Sequence, residues 1–276
     1  MSLSSLSPTM SLALLLAMVA FELLLLALPA LLWARIGRQP LRDAFAWRAT
    51  AGRELLGAAL LGVGFLPWVQ TLIVAQNHLW PRGMAGQGGS AAFLLPLVLR
   101  YPVLMILAVP LSAAVSEELF FRGVLQRALL KRLPVWLAVG VGALLFAAMH
   151  FDLQGALVRT LLGVLLGVLV LRGRTIFPAM TLHFVYDAAA LAGGYWDART
   201  LGGARALRLS ARADMGVGRA ELFWGPALGT LLMLAGWGLC AWAWRRRPPP
   251  LAPLPPADQA ADTGATWPPP PTGGFP

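Results

Sequence analysis

The stretch Ser116-Glu117-Glu118-Leu119-Phe120-Phe121-Arg122 decides the fold, because it places two carboxylates and a guanidinium directly after an apolar run, residues 103–115. On a helix, Glu118 and Arg122 are four residues apart and share one face, whereas Glu117 points roughly 100° away. The spacing therefore predicts an ion pair between Glu118 and Arg122 and leaves Glu117 free. An ionisable side chain at bilayer depth costs about 2.5–3.5 kcal/mol on insertion scales, so acids at this depth indicate a functional site.

The composition of the chain excludes a soluble domain. Of its 276 residues, 58% are hydrophobic and 12% charged, and the mean hydropathy is +0.69, which predicts a polytopic membrane protein. The net charge of +10 comes mostly from arginines in the loops between apolar runs, so we predict no nucleic-acid partner. The single cysteine, Cys240, excludes an intramolecular disulfide framework and a cysteine-cluster metal site.

Apolar runs of membrane-spanning length predict an all-α transmembrane bundle of about seven spans, with six to eight as the range. The predicted spans are 11–33, 55–75, 92–115, 135–149, 156–171, 176–194 and 223–244, and the third continues as a helix to Leu130. In the fifth span, Gly163 and Gly167 form a pair of small residues that lets helices approach closely.

The loops between the spans predict the organisation and orientation of the chain. Residues 1–91 hold two N-terminal spans and a basic loop, 92–194 a helical core, 195–247 an amphipathic segment and the last span, and 248–276 a proline-rich disordered tail. Basic residues gather on one side of the spans, which predicts a plasma-membrane protein with its N-terminus outside and its C-terminus inside. The sequence gives no indication of the oligomeric state.

Three further polar residues lie in or at the ends of apolar spans, namely His150, His183 and Asp187. A carboxylate such as Glu117 can take a proton from water and pass it to a leaving amine. His150 can hold that water, and His183 with Asp187, four residues later, can stabilise an oxyanion. Glu117, His150 and His183 could instead bind a zinc ion, which activates a bound water itself. The spacing leaves both mechanisms open.

Three motifs in order along the chain carry a family resemblance: Glu-Glu-xxx-Arg at 117–122, Phe-xxx-His at 146–150 and His-xxx-Asp at 183–187. Over residues 92–194 the chain resembles the CPBP family (CAAX protease and bacteriocin-processing, or Abi) of intramembrane endopeptidases. The resemblance implies a helical protease in which Glu117 and His150 act on the water and His183 and Asp187 form the oxyanion hole. It also implies supporting roles for Glu118, Arg122 and Phe146.

One residue departs from the family pattern, because Asp187 stands where the CAAX-processing enzymes typically have asparagine. An ionised aspartate would repel an oxyanion, so Asp187 either stays protonated or only orients His183. The resemblance favours chemistry without a metal or other cofactor, with zinc as the alternative.

The implied function is hydrolysis of a peptide bond in a membrane-anchored protein or peptide within the lipid bilayer. The alternatives are a non-catalytic membrane scaffold or immunity protein and a proton-coupled transporter, although the chain has no second copy of 92–194 that a transporter repeat would require. The predicted spans place His150 at the outer end of one helix and Glu117 near the inner end of another. The catalytic interpretation therefore requires that the helices bring these two depths together.

Overall fold

The computed structural model describes residues 7–79, 89–152, 155–202 and 219–245, and within these ranges the chain is helical and has no strands. The helices are α1 Pro8–Ile36, α2 Leu41–Ala44, α3 Gly52–Leu79, α4 Gly89–Arg100, α5 Pro102–Leu130, α6 Val135–Ala148, α7 Ala156–Gly173, α8 Phe177–Leu201 and α9 Arg219–Trp244. The predicted all-α fold is confirmed. The predicted disordered tail, 248–276, lies outside the described residues.

Five helices in the described ranges are long and apolar enough to cross a membrane: α1, the Gly52–Ile73 part of α3, α5, α7 and the Trp224–Trp244 part of α9. The shorter α6 is also apolar. Helix α8 is not among the five, but it packs against α3, α5 and α7. Together these helices form a multi-pass bundle close to the predicted seven spans.

Two of the predicted boundaries are wrong. The third span does not begin at residue 92, because the chain bends at Tyr101 and a new helix begins with Pro102, whose fixed φ suits the first turn of a helix. Helix α8 runs to Leu201, so the first seven residues of the predicted amphipathic segment 195–221 continue a helix. Residues 203–218 of that segment lie outside the described ranges.

Helix α5 is the centre of the bundle. Half of its most apolar window is buried, compared with 22% for the corresponding windows of α1 and α9. The buried side of α5 carries Ser112, Ser116, Glu117, Glu118 and Arg122, whereas Leu107 and Leu111 are exposed on its outer side. The helix therefore presents its polar residues to its neighbours and its leucines to the lipid.

Two π-helical stretches lie beside each other in the bundle. One is Leu23–Ala27 in α1, which follows Glu22, and the other is Leu119–Leu125 in α5, which follows Glu118. The two stretches are in contact. π-Helical turns are rare and occur frequently at functional sites. Their position next to Glu22, Glu117 and Glu118 therefore indicates a functional site in this part of the bundle.

Candidate active site

The buried ion pair predicted from the four-residue spacing is confirmed. Arg122 Nη1 lies 2.8 Å from Glu118 Oε1, and the two side chains are only 2% and 0% exposed. Arg122 Nη2 also donates to the carbonyl oxygen of Gly163 in α7, at 3.2 Å. The pair therefore joins α5 to α7 as well as neutralising the Glu118 carboxylate.

Glu118 also orients a histidine, which the sequence did not predict. Its Oε1 accepts a hydrogen bond from His183 Nδ1 of α8, at 3.0 Å. Because a carboxylate paired with arginine can only accept, the proton on that side of the ring belongs to His183. The Nε2 atom of His183 therefore faces away from Glu118.

On that other side, His183 Nε2 lies near two more acids. It is 3.3 Å from Asp187 Oδ2, as expected for residues four apart on one helix, and 3.8 Å from Glu117 Oε2. The Glu117 side chain is 8% exposed, and its Oε2 is buried without a hydrogen-bond partner among the described residues. The structure thus brings Glu117, His183 and Asp187 together and leaves one Glu117 oxygen available.

Phe146 connects His150 to this group. Its ring, which is 1% exposed, lies 5.2 Å from the His150 ring and 5.8 Å from the His183 ring, and the Arg122 guanidinium stacks 4.6 Å from its centre. Helix α6 has 14 residues and ends at Ala148, so His150 lies in the turn that follows it. The structure therefore brings His150 beside the ring that also contacts His183, although α6 ends within one residue of the predicted boundary at 149.

The hydrogen bond of His150 defines its tautomer. Its Nδ1 lies 3.0 Å from the carbonyl oxygen of Phe146, and a carbonyl only accepts, so Nδ1 carries the proton. The ring follows α6 and lies outside the membrane-spanning segments. Burial lowers the pKa of His150, and the positive charge of Arg159 lowers it further. A neutral ring protonated at Nδ1 leaves Nε2 able to accept a hydrogen bond from water.

Helix α7 supports the site through its two small residues. A Cβ on Gly163 would lie 3.0 Å from Cα and Cβ of Ala143, and one on Gly167 would lie 2.8 Å from Oε1 of Gln126. The close approach lets Gln126 Nε2 donate to the carbonyl oxygen of Gly167, at 3.2 Å. The predicted close approach at this glycine pair is confirmed, and it exposes two carbonyls to the polar side chains of α5.

Glu22 of α1 is an acid near the site that none of the three sequence motifs includes. Its Oε2 accepts a hydrogen bond from Ser112 Oγ at 2.5 Å, and it is close enough to Glu117, His183 and Asp187 to interact with each electrostatically. In the sequence, the feature that singles out Glu22 is its position as an acid inside the apolar run 11–33. The three motifs could not find it, because α1 precedes all of them.

The three residues named as possible zinc ligands, Glu117, His150 and His183, do not form one cluster of ligands in the structure. Within the described residues, no group of three or more histidine, cysteine or acidic side chains has the arrangement that would hold one. His183 Nδ1 is committed to Glu118, and His150 is separated from His183 by the Phe146 ring.

The comparison with known families gives a match over the segment in which these residues lie. Residues 99–189, about a third of the chain, match the family described as type II CAAX prenyl endopeptidase Rce1-like. This segment is Rce1-like. The match confirms the resemblance to the CPBP and CAAX proteases, and the Rce1-like segment contains Glu117, Glu118, Arg122, Phe146, His150, His183 and Asp187. At family level it supports an intramembrane endopeptidase, hence a hydrolase. Comparisons with curated proteins and with solved structures gave no significant match.

Proposed function

We propose that this protein hydrolyses a peptide bond of a membrane-anchored protein or peptide, using a water activated by Glu117. The observation that carries the proposal is the Glu117 Oε2 atom, which is buried in a membrane-spanning helix, has no hydrogen-bond partner in the described part of the chain and lies 3.8 Å from His183 Nε2. A buried unpaired carboxylate oxygen costs free energy, and such a cost is usually retained where the group has a chemical role.

Glu117 would act as the general base and then as the general acid. Its free oxygen accepts a proton from the attacking water, and the same proton passes to the departing amine when the tetrahedral intermediate collapses. His150 would hold the water, since the hydrogen bond from its Nδ1 to Phe146 leaves its Nε2 as an acceptor. The reaction balances, because the water supplies the second oxygen of the new carboxyl group, the proton that the amine receives and the proton of the carboxyl group.

His183 would stabilise the oxyanion. Glu118 accepts the hydrogen bond from Nδ1 at 3.0 Å and fixes the ring, so the N–H at Nε2, which lies 3.3 Å from Asp187 Oδ2, is the group that would donate to the oxyanion. Preorganised donors of this kind are usually worth more than any other single catalytic contribution. Asp187 is 31% exposed and therefore less constrained than His183, which favours an orienting role for it over direct contact with the oxyanion.

The substrate and the reaction can be tested together by peptide-terminus profiling of membranes from cells that express the wild type or Glu117→Gln. Glutamine keeps the shape and removes the base. Glu54→Gln is the matched control, because Glu54 is an equally buried acid that accepts a hydrogen bond from Trp244 and lies outside the candidate site. The proposal expects new termini with the wild type and with Glu54→Gln, and none with Glu117→Gln.

Two outcomes would contradict the proposal. If Glu117→Gln yields the same termini as the wild type, Glu117 is not the base. If all three membranes are alike while Glu117→Gln rescues a native phenotype, the protein is a scaffold rather than a protease. A chelator added to the wild-type assay tests the zinc alternative, and we expect it to leave the termini unchanged.

A further inference from the structure

Glu22 is the one acid of α1, and it lies on the side of the helix that faces the bundle. Its neighbours Phe21 and Leu24 are 64% and 61% exposed, whereas Glu22 is half-buried and Leu26 and Ala27, about one turn later, are buried. A carboxylate inside an apolar span is unfavourable unless groups within the bundle interact with it. The position of Glu22 therefore calls for a partner or a role inside the bundle.

The hydrogen bond between Ser112 and Glu22 indicates the charge of the glutamate. Ser112 Oγ lies 2.5 Å from Glu22 Oε2 and 2.9 Å from the carbonyl oxygen of Val109 in its own helix. A hydroxyl has one proton to donate, and a distance of about 2.5–2.7 Å is typical of a hydroxyl that donates to an ionised carboxylate. The proton of Ser112 therefore belongs to the bond with Glu22, and Glu22 carries a negative charge.

The part of α5 that holds Glu22 is itself fixed, and it leads directly to Glu117. Ser116 Oγ, which is fully buried, donates to the carbonyl oxygen of Ser112 at 2.7 Å. The π-helical stretch that begins directly after Glu22 also contacts the π-helical stretch that follows Glu118. These contacts hold the Glu22 carboxylate in one position relative to the candidate active site.

The charge of Glu22 reaches the groups of the candidate active site. Glu22 belongs to none of the ion pairs in the described residues. It is close enough to Glu117 of α5 and to His183 and Asp187 of α8 to interact with each of them electrostatically. A negative charge at this place repels the other two carboxylates and attracts a positively charged His183 ring.

His183 needs such an anion in the proposed reaction. Its Nδ1 donates to Glu118 and its Nε2 would donate to the oxyanion, and a ring with protons on both nitrogens is positively charged. Glu118 is already neutralised in its buried ion pair. When Glu117 takes the proton of the attacking water, it loses its negative charge as well. Glu22 and Asp187 are then the carboxylates near the ring that keep theirs.

We propose that Glu22 is a positioning residue of the candidate active site, whose negative charge holds the His183 ring as a donor to the oxyanion. This role rests on the proposed hydrolysis, in which His183 stabilises the oxyanion. It gives α1, which precedes all three sequence motifs, a part in the reaction. Ser112 holds the carboxylate in place, so the charge of Glu22 rather than the hydrogen bond itself should determine the rate.

The test measures kcat and KM for cleavage of a substrate peptide by the purified full chain in proteoliposomes, at equal amounts of folded protein. Glu22→Gln removes the charge and keeps an oxygen that can accept from Ser112, Ser112→Ala keeps the charge and removes the donor, and Glu22→Met removes both. We expect kcat to fall about tenfold in Glu22→Gln and in Glu22→Met with KM unchanged, and to stay within about threefold of the wild type in Ser112→Ala. The matched control, Glu54→Gln, changes a buried acid outside the candidate site and should leave kcat unchanged.

A wild-type kcat in Glu22→Gln would overturn the proposal, and losses confined to Ser112→Ala and Glu22→Met would assign Glu22 to helix packing alone. A raised KM with an unchanged kcat would also overturn it, because the residue would then act in substrate binding. Glu117→Gln, measured in the same assay, separates this role from the proposed function. If Glu117→Gln cleaves at the wild-type rate, the proposed hydrolysis fails. If it is inactive while Glu22→Gln is unimpaired, only the role of Glu22 fails.

Discussion

The buried pair of Glu118 and Arg122 allows the sharpest prediction about stability. In Arg122→Gln, the Glu118 carboxylate remains fully buried and loses the guanidinium 2.8 Å away, and the carbonyl of Gly163 loses its donor. Breaking a buried pair from one side costs about 3–5 kcal/mol, because one charge stays desolvated without compensation. For a protein of this size, that cost corresponds to a thermal unfolding midpoint lower by roughly 6–20 °C. Arg132→Gln, which removes an exposed arginine, is the control and should shift the midpoint little.

A double variant separates the structural role of the pair from its role in the site. Replacing both residues, Glu118→Met with Arg122→Met, removes both charges at similar volume, so most of the lost stability should return. Cleavage should not return, because His183 has lost the acceptor on its Nδ1. Thermal unfolding in detergent measures the first effect and cleavage in proteoliposomes the second. The reasoning is refuted if Arg122→Gln unfolds within about 2 °C of the Arg132→Gln control, or if the double variant cleaves at the wild-type rate.

Two other substitutions test the packing and the electrostatics around the site. Gly163→Ala would place a Cβ 3.0 Å from the backbone Cα and the Cβ of Ala143, which cannot swing aside, and should cost about 1–3 kcal/mol of unfolding free energy. Gly140→Ala in α6 meets nothing within 4 Å and should be neutral or slightly stabilising, so equal unfolding midpoints would contradict this. Arg159→Gln removes a positive charge that lowers the pKa of His150, so this pKa should rise. As the pH falls, the His150 ring then becomes protonated at a higher pH, so the acid limb of the pH–rate profile should shift to higher pH. An unchanged acid limb would show that protonation of His150 does not determine it.

The sequence predicted the contacts that depend on helical spacing. Glu118 and Arg122 pair, and His183 and Asp187 touch, because residues four apart on one helix must share a face. The glycine pair in α7 was also informative, since two missing side chains at that interval predict a close neighbour. Each of these is a local property, so the sequence carries it without knowledge of the fold.

The remaining features depend on contacts between distant segments. The bond between Glu118 and His183 joins α5 to α8, and Glu22 reaches the site from α1 through Ser112. The end of α6 was predicted to within one residue, but the contact of His150 with Phe146, whose ring also meets His183 of α8, depends on how α6 packs against α8. The contact between the loop after α1 and the turn before α8, in which Thr175 Oγ1 donates to the carbonyl oxygen of Arg48, also joins distant segments, and no periodicity in the sequence predicts it.

The most direct test of the account is the single-turnover cleavage rate of a substrate peptide by purified Glu117→Gln in proteoliposomes, compared with the wild type at equal amounts of folded protein. If Glu117 is the general base, the rate should fall by about 10²–10⁴-fold while the unfolding midpoint stays close to that of the wild type, since glutamine keeps the shape of the side chain and replaces a buried carboxyl group by a neutral amide. A rate within a few-fold of the wild type would contradict the central claim and assign water activation to another group.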